Sequence, residues 1–148
     1  MTSKFIKLLP QQIPAFWETI KFAATQVSVM EEKSKPLYLN NLLHSLLNDK
    51  SQGFVRLDDG RKLLAIMITK IEMDKISGDA TFILQSYYSW AGIDDKTWAN
   101  DFLFAKEFAS HTKCKRIIFE SNNPKIWAMG QRFGFKEKSR TFIVDMEA

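Results

Sequence analysis

The residues that could take part in chemistry are few, and most of them follow apolar runs. Glu72 and Glu120 each lie at the end of such a run, and Tyr88 lies beside Tyr87 near the end of another. A carboxylate at the rim of a sheet can accept a proton and a phenol can donate one, so these residue types allow proton-transfer chemistry. The alternative is that the carboxylates are surface groups and that the tyrosines pack in a core or cleft.

Cys114 and the histidines give weaker signals. Cys114 is the only cysteine, so no internal disulfide is possible, and its neighbours Lys113 and Lys115 would favour a thiolate. No histidine is placed by sequence to activate it, and His44 falls on the polar side of a leucine-rich helical pattern. We interpret His44 as a surface residue, and the sequence predicts no metal site.

Hydrophobic periodicity predicts the elements that position these residues, in the order β-α-α-β-β-β-α-β-α-β. Strands are predicted at 3–9, 53–57, 62–74, 80–90, 116–120 and 138–146. Helices are predicted from Ile13, around Leu39, after a cap at Asp94 or Asp95, and from Pro124. The order is typical of one α+β (α/β) domain, 1–148. We expect a mixed, mostly antiparallel sheet of about six or seven strands with helices on both faces.

The stretch 123–135 combines three signals. Pro124 stands where a first helical position tolerates a missing N–H, and Gly134 stands where a helix end requires positive φ. Asn123 precedes this helix, and Phe135 follows it and opens the last predicted strand.

Composition and charge exclude several classes of protein. The chain of 148 residues is 45% hydrophobic and 26% charged, which is typical of a soluble globular domain, and no apolar run is long enough to span a membrane. The net charge of +4 is scattered, which argues against nucleic-acid binding. With no recognisable signal peptide, the sequence predicts a cytoplasmic protein.

The element order, together with Asn123 and Gly134-Phe135, resembles the GNAT superfamily of acyl-CoA-dependent N-acetyltransferases. The resemblance in order covers essentially the whole chain, and the resemblance in residues is confined to the last third. It implies acetyl-CoA as cosubstrate, held with its pyrophosphate at the start of the long helix after the fourth strand. It also implies a base, for which Glu72 and Glu120 are the best acids, and a hydroxyl that protonates the leaving thiolate, for which Tyr88 is a candidate.

Two departures from the family pattern oppose this chemistry. The phosphate loop should fall on 93–98, with Asp95, Lys96, Thr97 and Trp98 as its counterparts, and it contains no glycine. A capping carboxylate there would take the N–H donors that phosphate needs, and an indole would fill the space. The same alignment places Gly130 at the position of the family's tyrosine. It also places Asn123, at the start of that helix, among the cofactor-binding positions.

The sequence therefore leaves two main hypotheses. The preferred one is a GNAT-fold protein that has lost acetyl transfer, binds no cofactor, and acts through a protein partner or self-association. Small GNAT-like proteins of tailed phages are compatible with it, in the host cytoplasm or the virion. The alternative is an active N-acetyltransferase with an atypical CoA-binding loop. A third, weaker hypothesis is binding of a polyanion through the basic last third.

Overall fold

The computed structural model describes residues 5–27, 32–90, 92, 94–121 and 123–146. Its strands are β1 (Phe5–Lys7), β2 (Ser51–Leu57), β3 (Leu63–Met73), β4 (Ala80–Ser89) and β5 (Arg116–Phe119). Its α-helices are α1 (Ile13–Val27), α2 (Lys35–Leu47), α3 (Asp95–His111) and α4 (Pro124–Arg132). Short 3₁₀ turns, Pro10–Gln12 and Glu32–Ser34, precede α1 and α2.

The strands form one sheet in the order β1-β2-β3-β4-β5. The first three pairs are antiparallel, as the tight connection between β2 and β3 requires, and β4 pairs with β5 in parallel. A parallel pair needs a long crossover, which α3 supplies. The predicted mixed, mostly antiparallel sheet is confirmed.

Alternating residues of the central strands face two separate cores. Val55 and Ile66 pack against α1 and α2 on one face. Their neighbours Phe54 and Met67 pack against α3 on the other face. Helices therefore cover both faces, as predicted, and we call these the α1 face and the α3 face. This double burial explains the nearly continuous apolar sequence of β3.

The predicted helix signals have their expected local roles. Asp94 is the N-cap of α3 and Asn123 is the N-cap of α4, with Pro124 at the first helical position. Gly134 has φ of 91°, a left-handed conformation that favours glycine at a helix end.

The predicted last strand is wrong for the residues that the structure describes. Residues 138–146 are not paired in the sheet, so the described sheet has five strands rather than six or seven. Phe142 and Val144 are both exposed. Aromatic and β-branched residues favour a strand only where a neighbouring strand supplies hydrogen bonds, and no described strand does so for this segment.

Candidate functional site

The sheet opens between β4 and β5. Their parallel pairing ends where Leu84 lies opposite Phe119, whereas β4 continues to Ser89. Residues 85–89 therefore have no described strand on the β5 side. We call this opening the split.

A β-bulge lies where the split begins. On the β3 side of β4, Thr69 pairs with Leu84 but the preceding residue Ile68 pairs with Ser86, so Gln85 is an extra residue. A bulge bends its strand and increases the local twist, and this one directly follows Leu84, the last residue of β4 that pairs with β5. Ser86 is buried beside the bulge, and among the described residues its hydroxyl has no hydrogen-bond partner.

The start of α3 lies at the open end of β4. Ser89 donates a hydrogen bond from Oγ to the carbonyl oxygen of Gly92, at 2.9 Å, and α3 begins shortly afterwards at Asp95. The free N–H groups and the dipole at a helix start favour an anion, so this is where a phosphate group would be expected.

A carboxylate of the chain itself accepts one of these N–H groups. Asp94 Oδ1 accepts the N–H of Thr97 at 2.7 Å. This backbone hydrogen bond lowers the pKa of Asp94 below its usual range, so the group is a carboxylate at neutral pH. The prediction that a capping aspartate would take the N–H donors agrees with this geometry.

Cations compensate part of the negative charge at the start of α3. Arg132, in the last turn of α4, donates from Nη2 to Asp95 Oδ1 at 2.9 Å. Lys96 is exposed beside it. The ion pair joins the end of α4 to the start of α3, so Arg132 and Lys96 both lie near this helix start.

Trp98 fills the α3 side of the split. Its ring is buried at right angles to Tyr87 of β4, with centroids 5.4 Å apart, and lies 6.3 Å from Phe133 at the end of α4. It also stacks on Phe102 at 6.4 Å. Among the described residues, its indole N–H has no acceptor. The indole therefore packs between β4 and the end of α4.

A buried charged network lies next to Trp98, and sequence reasoning missed two of its members. Arg56 Nη1 donates to Asp101 Oδ1 at 3.2 Å, and the hydroxyl of Tyr87 donates to Asp101 Oδ2. The guanidinium also lies 5.4 Å from the ring centre of Phe5. Arg56 is 7% exposed and Asp101 is 5% exposed.

Burial controls the ionisation of this network. Burial raises the pKa of Asp101, although the hydrogen bond from Tyr87 and the charge of Arg56 oppose the rise. Burial also raises the pKa of Tyr87, as does its bond to the Asp101 carboxylate, so this phenol stays protonated. One sequence signal existed: Asp101 lies at helical spacing between Trp98 and Ala105 on the apolar stripe of α3.

The α1 side of the split carries a different set of rings. Tyr88 lies at right angles to Phe22 of α1, with centroids 5.5 Å apart, and to Trp90, at 4.9 Å. Phe22 and Trp90 are 43% and 40% exposed, so this cluster has an open surface. The structure thus places the predicted Tyr88 at the split.

The two predicted acids lie at opposite ends of the β4–β5 pair. Glu120 directly follows Phe119, so it lies at the mouth of the split, and it is exposed. Glu72 pairs with Thr81 at the far end and forms an ion pair with Lys70, at 2.7 Å. The structure therefore brings Glu120, and not Glu72, to the candidate site.

The start of α4 and its buried glycine have structural explanations. Asn123 Oδ1 accepts the N–H of Lys125 at 3.0 Å, which is a helix cap. Gly130 is buried, and a Cβ at this position would lie 2.7 Å from Cζ of Phe119. The ring of Phe119 thus takes the space that a side chain at 130 would need.

Two absences hold for the described part of the chain. It contains no cluster of three histidine, cysteine or acidic side chains that could hold a metal ion. Within the same residues, no helix combines the length and apolar character needed to cross a bilayer.

Several solved structures with the same architecture are acetyltransferases. A predicted acetyltransferase from Clostridium acetobutylicum with acetyl-CoA superimposes with a TM-score of 0.74 at 7% identity, covering 97% of this chain and 96% of that chain. AAC(6')-Iy in complex with the bisubstrate analogue CoA-S-monomethyl-acetylneamine gives 0.69 at 11% identity, covering 100% of both chains. An aminoglycoside acetyltransferase from an uncultured soil metagenomic sample gives 0.72 at 12% identity, covering 99% and 100%.

The likeness is one of structure. No protein-family model matches the sequence, and neither does any curated protein. At these identities the superpositions establish the fold alone. The fold inferred from the element order and from Asn123 with Gly134-Phe135 is confirmed, and the chain has the fold of the GNAT acetyltransferases.

Proposed function

We propose that this protein binds an acyl-CoA in the split and transfers the acyl group to an amine. The observation that carries the proposal is the split itself, which begins at the bulge at Gln85 and leads to the start of α3. The solved acetyltransferases that share the fold include complexes with acetyl-CoA and with a CoA-containing bisubstrate analogue, which supports acetyl-CoA as the cosubstrate.

The residues present fit different parts of acetyl-CoA to different degrees. Within the described chain, the backbone of 85–89 pairs with no strand on the β5 side, and its hydrogen-bonding groups there suit the amide-containing arm of the cosubstrate. The start of α3 suits its pyrophosphate only when Asp94 releases the N–H of Thr97. Arg132 and Lys96 would then supply positive charge. Trp98 is buried against Tyr87 of β4 and would hold the start of α3 against the sheet.

The remaining roles follow from position. Glu120 at the mouth of the split takes a proton from the acceptor ammonium, and the free amine forms a bond to the thioester carbonyl carbon. As the carbon–sulfur bond breaks, the nitrogen loses its second proton to solvent and the leaving sulfur receives a proton from the hydroxyl of Tyr88. Solvent then returns a proton to Tyr88 and takes one from Glu120. The half-exposed rings of Phe22 and Trp90 give the acceptor a surface that attracts cations.

A second candidate is a protein without catalysis that acts through protein contacts. The capped start of α3 favours it, because Asp94 is a carboxylate where phosphate must bind. Gly130 favours it as well, since Phe119 leaves no room there for a proton-donating side chain. For either function we expect the protein to be cytoplasmic. If it is phage-encoded, we expect it in the host cytoplasm or in the virion.

Calorimetric titration with acetyl-CoA and desulfo-CoA, at low and moderate salt, distinguishes the two candidates. We expect saturable binding by the wild type, and tighter binding by Asp94→Gly, which frees the N–H donors and removes the charge. Asp94→Asn is the matched control, because it removes the charge but keeps a cap. We expect its affinity to lie between the other two.

Thiol release with a panel of amines then tests the transfer itself. Release that depends on an amine and is lost in Glu120→Gln supports the enzyme. Failure of all three folded proteins to bind acetyl-CoA would overturn the proposal. Binding without amine-dependent thiol release would favour the second candidate.

A further inference from the structure

Three aromatic side chains on the α1 side of the split, Phe22, Tyr88 and Trp90, form a unit that we call the ring cluster. Phe22 and Trp90 stand nearly parallel, with an interplanar angle of 22° and centroids 6.2 Å apart. Both lie nearly perpendicular to Tyr88, at 88° and 79°. Because Phe22 and Trp90 are partly exposed, each can stack on a further planar apolar group.

The two elements that carry the ring cluster are almost free of unpaired charge. The strand β4 contains no charged residue. In α1 the only acid, Glu18, forms an ion pair with the only base, Lys21, at 3.1 Å. A ligand with several positive charges would find no unpaired carboxylate on either element, and a charge that leaves water without a partner is costly. The walls therefore favour a ligand with one amine and an apolar body.

Ser86 provides a polar group next to the ring cluster. It pairs with Ile68, which belongs to the core under α1, so Ser86 shares the α1 face with Tyr88, two residues further along β4. Its hydroxyl is buried and has no hydrogen-bond partner within the described chain. A buried hydroxyl without a partner costs stability, and the nitrogen of a bound amine would supply the missing hydrogen bond.

We propose that the acceptor of the acyl group is a primary arylalkylamine, with its ring on the ring cluster and its nitrogen between Ser86 and Glu120. Ser86 and Tyr88 lie about 7 Å apart along the strand, so roughly two to four carbon atoms separate the nitrogen from the ring. Glu120 takes the ammonium proton, and a remaining N–H of the amine donates to Oγ of Ser86. The products are the N-acylated arylalkylamine and free CoA, formed by the proton transfers given above. This inference rests on the proposed acyl transfer and names its acceptor class.

Thiol release with four amines at saturating acetyl-CoA tests the acceptor class. We expect kcat/KM for phenylpropylamine to exceed that for butylamine by about tenfold or more, because the added ring is taken out of water. Benzylamine, whose chain is too short to reach both Ser86 and the ring cluster, should be poorer than phenylpropylamine. Neamine, a polycation, should be poorest. Equal or better turnover of neamine overturns the inference and leaves the proposed function standing. No thiol release with these four amines also overturns it, and the wider panel of amines then decides the proposed function separately.

Substitutions test the two ends of the acceptor position separately. Each of Phe22→Leu and Trp90→Leu should reduce the preference for phenylpropylamine over butylamine by about three- to tenfold, with acetyl-CoA affinity unchanged. Ser86→Ala should raise the KM of both amines by a similar factor, because Ser86 acts at the nitrogen. Leu103→Ala on α3, where Leu103 is 55% exposed, is the matched control and should change neither quantity.

Two results with folded variants, checked by circular dichroism, would contradict the inference. A preference for phenylpropylamine that is unchanged in both ring variants overturns the ring cluster as the acceptor position. An unchanged KM in Ser86→Ala overturns the placement of the nitrogen.

Discussion

The two faces of β4 beyond Leu84 are built in opposite ways. On the α3 face, Tyr87 belongs to a buried network with Arg56 and Asp101. On the α1 face, the next residue, Tyr88, belongs to a ring cluster whose outer members are exposed. Alternation along one strand thus gives β4 one closed face and one open face. Under the proposed function, we expect substitutions on the closed face to change stability and substitutions on the open face to change binding.

Breaking the charged network should give the largest effect. Asp101→Leu leaves the Arg56 guanidinium buried without its partner, which typically costs about 3–5 kcal/mol. We expect chemical denaturation to show a loss of this size. Adding Arg56→Met removes the orphaned charge and should restore most of the stability. If the double variant is as unstable as the single one, the loss comes from packing and the charge pair is not its cause.

A substitution at Gly130, which lies against Phe119, tests how tightly the α3 face is packed. Gly130→Ala should reduce the free energy of unfolding by about 1–3 kcal/mol, because its Cβ would lie 2.7 Å from the ring of Phe119. The gain in helix propensity offsets about 1 kcal/mol of the strain. Phe119→Leu should make the alanine tolerable, so the two substitutions should be non-additive. Additive losses would contradict the steric explanation.

Substitution on the open face should change stability little and acceptor binding more. Trp90→Ala removes a ring that is 40% exposed, so we expect a loss of only about 1–2 kcal/mol in stability. If the acceptor amine lies on this face, its KM should rise while acetyl-CoA affinity stays constant. Leu103→Ala on α3, where Leu103 is 55% exposed, is the control and should change neither. A rise in acetyl-CoA dissociation constant alone would place this ring on the cosubstrate side.

Local patterns predicted most of the fold, and contacts between distant residues produced the rest. Helical spacing and the cap at Asp94 are local signals, and the helices they predict are present. The ion pair of Arg56 with Asp101 joins residues 45 positions apart, which no local pattern encodes. The bulge likewise depends on pairing between distant residues, because Gln85 pairs with neither Thr69 nor Ile68.

The error at 138–146 has the same origin. Its alternation describes a segment suited to a sheet, but whether it forms a strand depends on the availability of an edge. In the described chain that edge, the outer side of β5, is unpaired. The composition of the segment suits a strand, but the predicted strand is wrong because the segment pairs with no described strand of the chain.

The smallest expected effect concerns Asp94, where the cap competes with anion binding. The pKa of Asp94 is lowered by the N–H of Thr97, so its contribution to stability is present above the unfolded-state value of about 3.8 and is lost as pH falls through the lower folded-state value. Asp94→Asn keeps a cap but does not titrate. The melting temperature of the wild type should therefore fall relative to this variant below about pH 4. The difference between the two proteins cancels the titration of Asp74, whose pKa is also lowered, by the N–H groups of Ile76 and Ser77. A constant difference in melting temperature across this range would mean that the carboxylate of Asp94 does not hold the N–H of Thr97. The N–H groups at the start of α3 would then be available to a phosphate group without displacement of a cap.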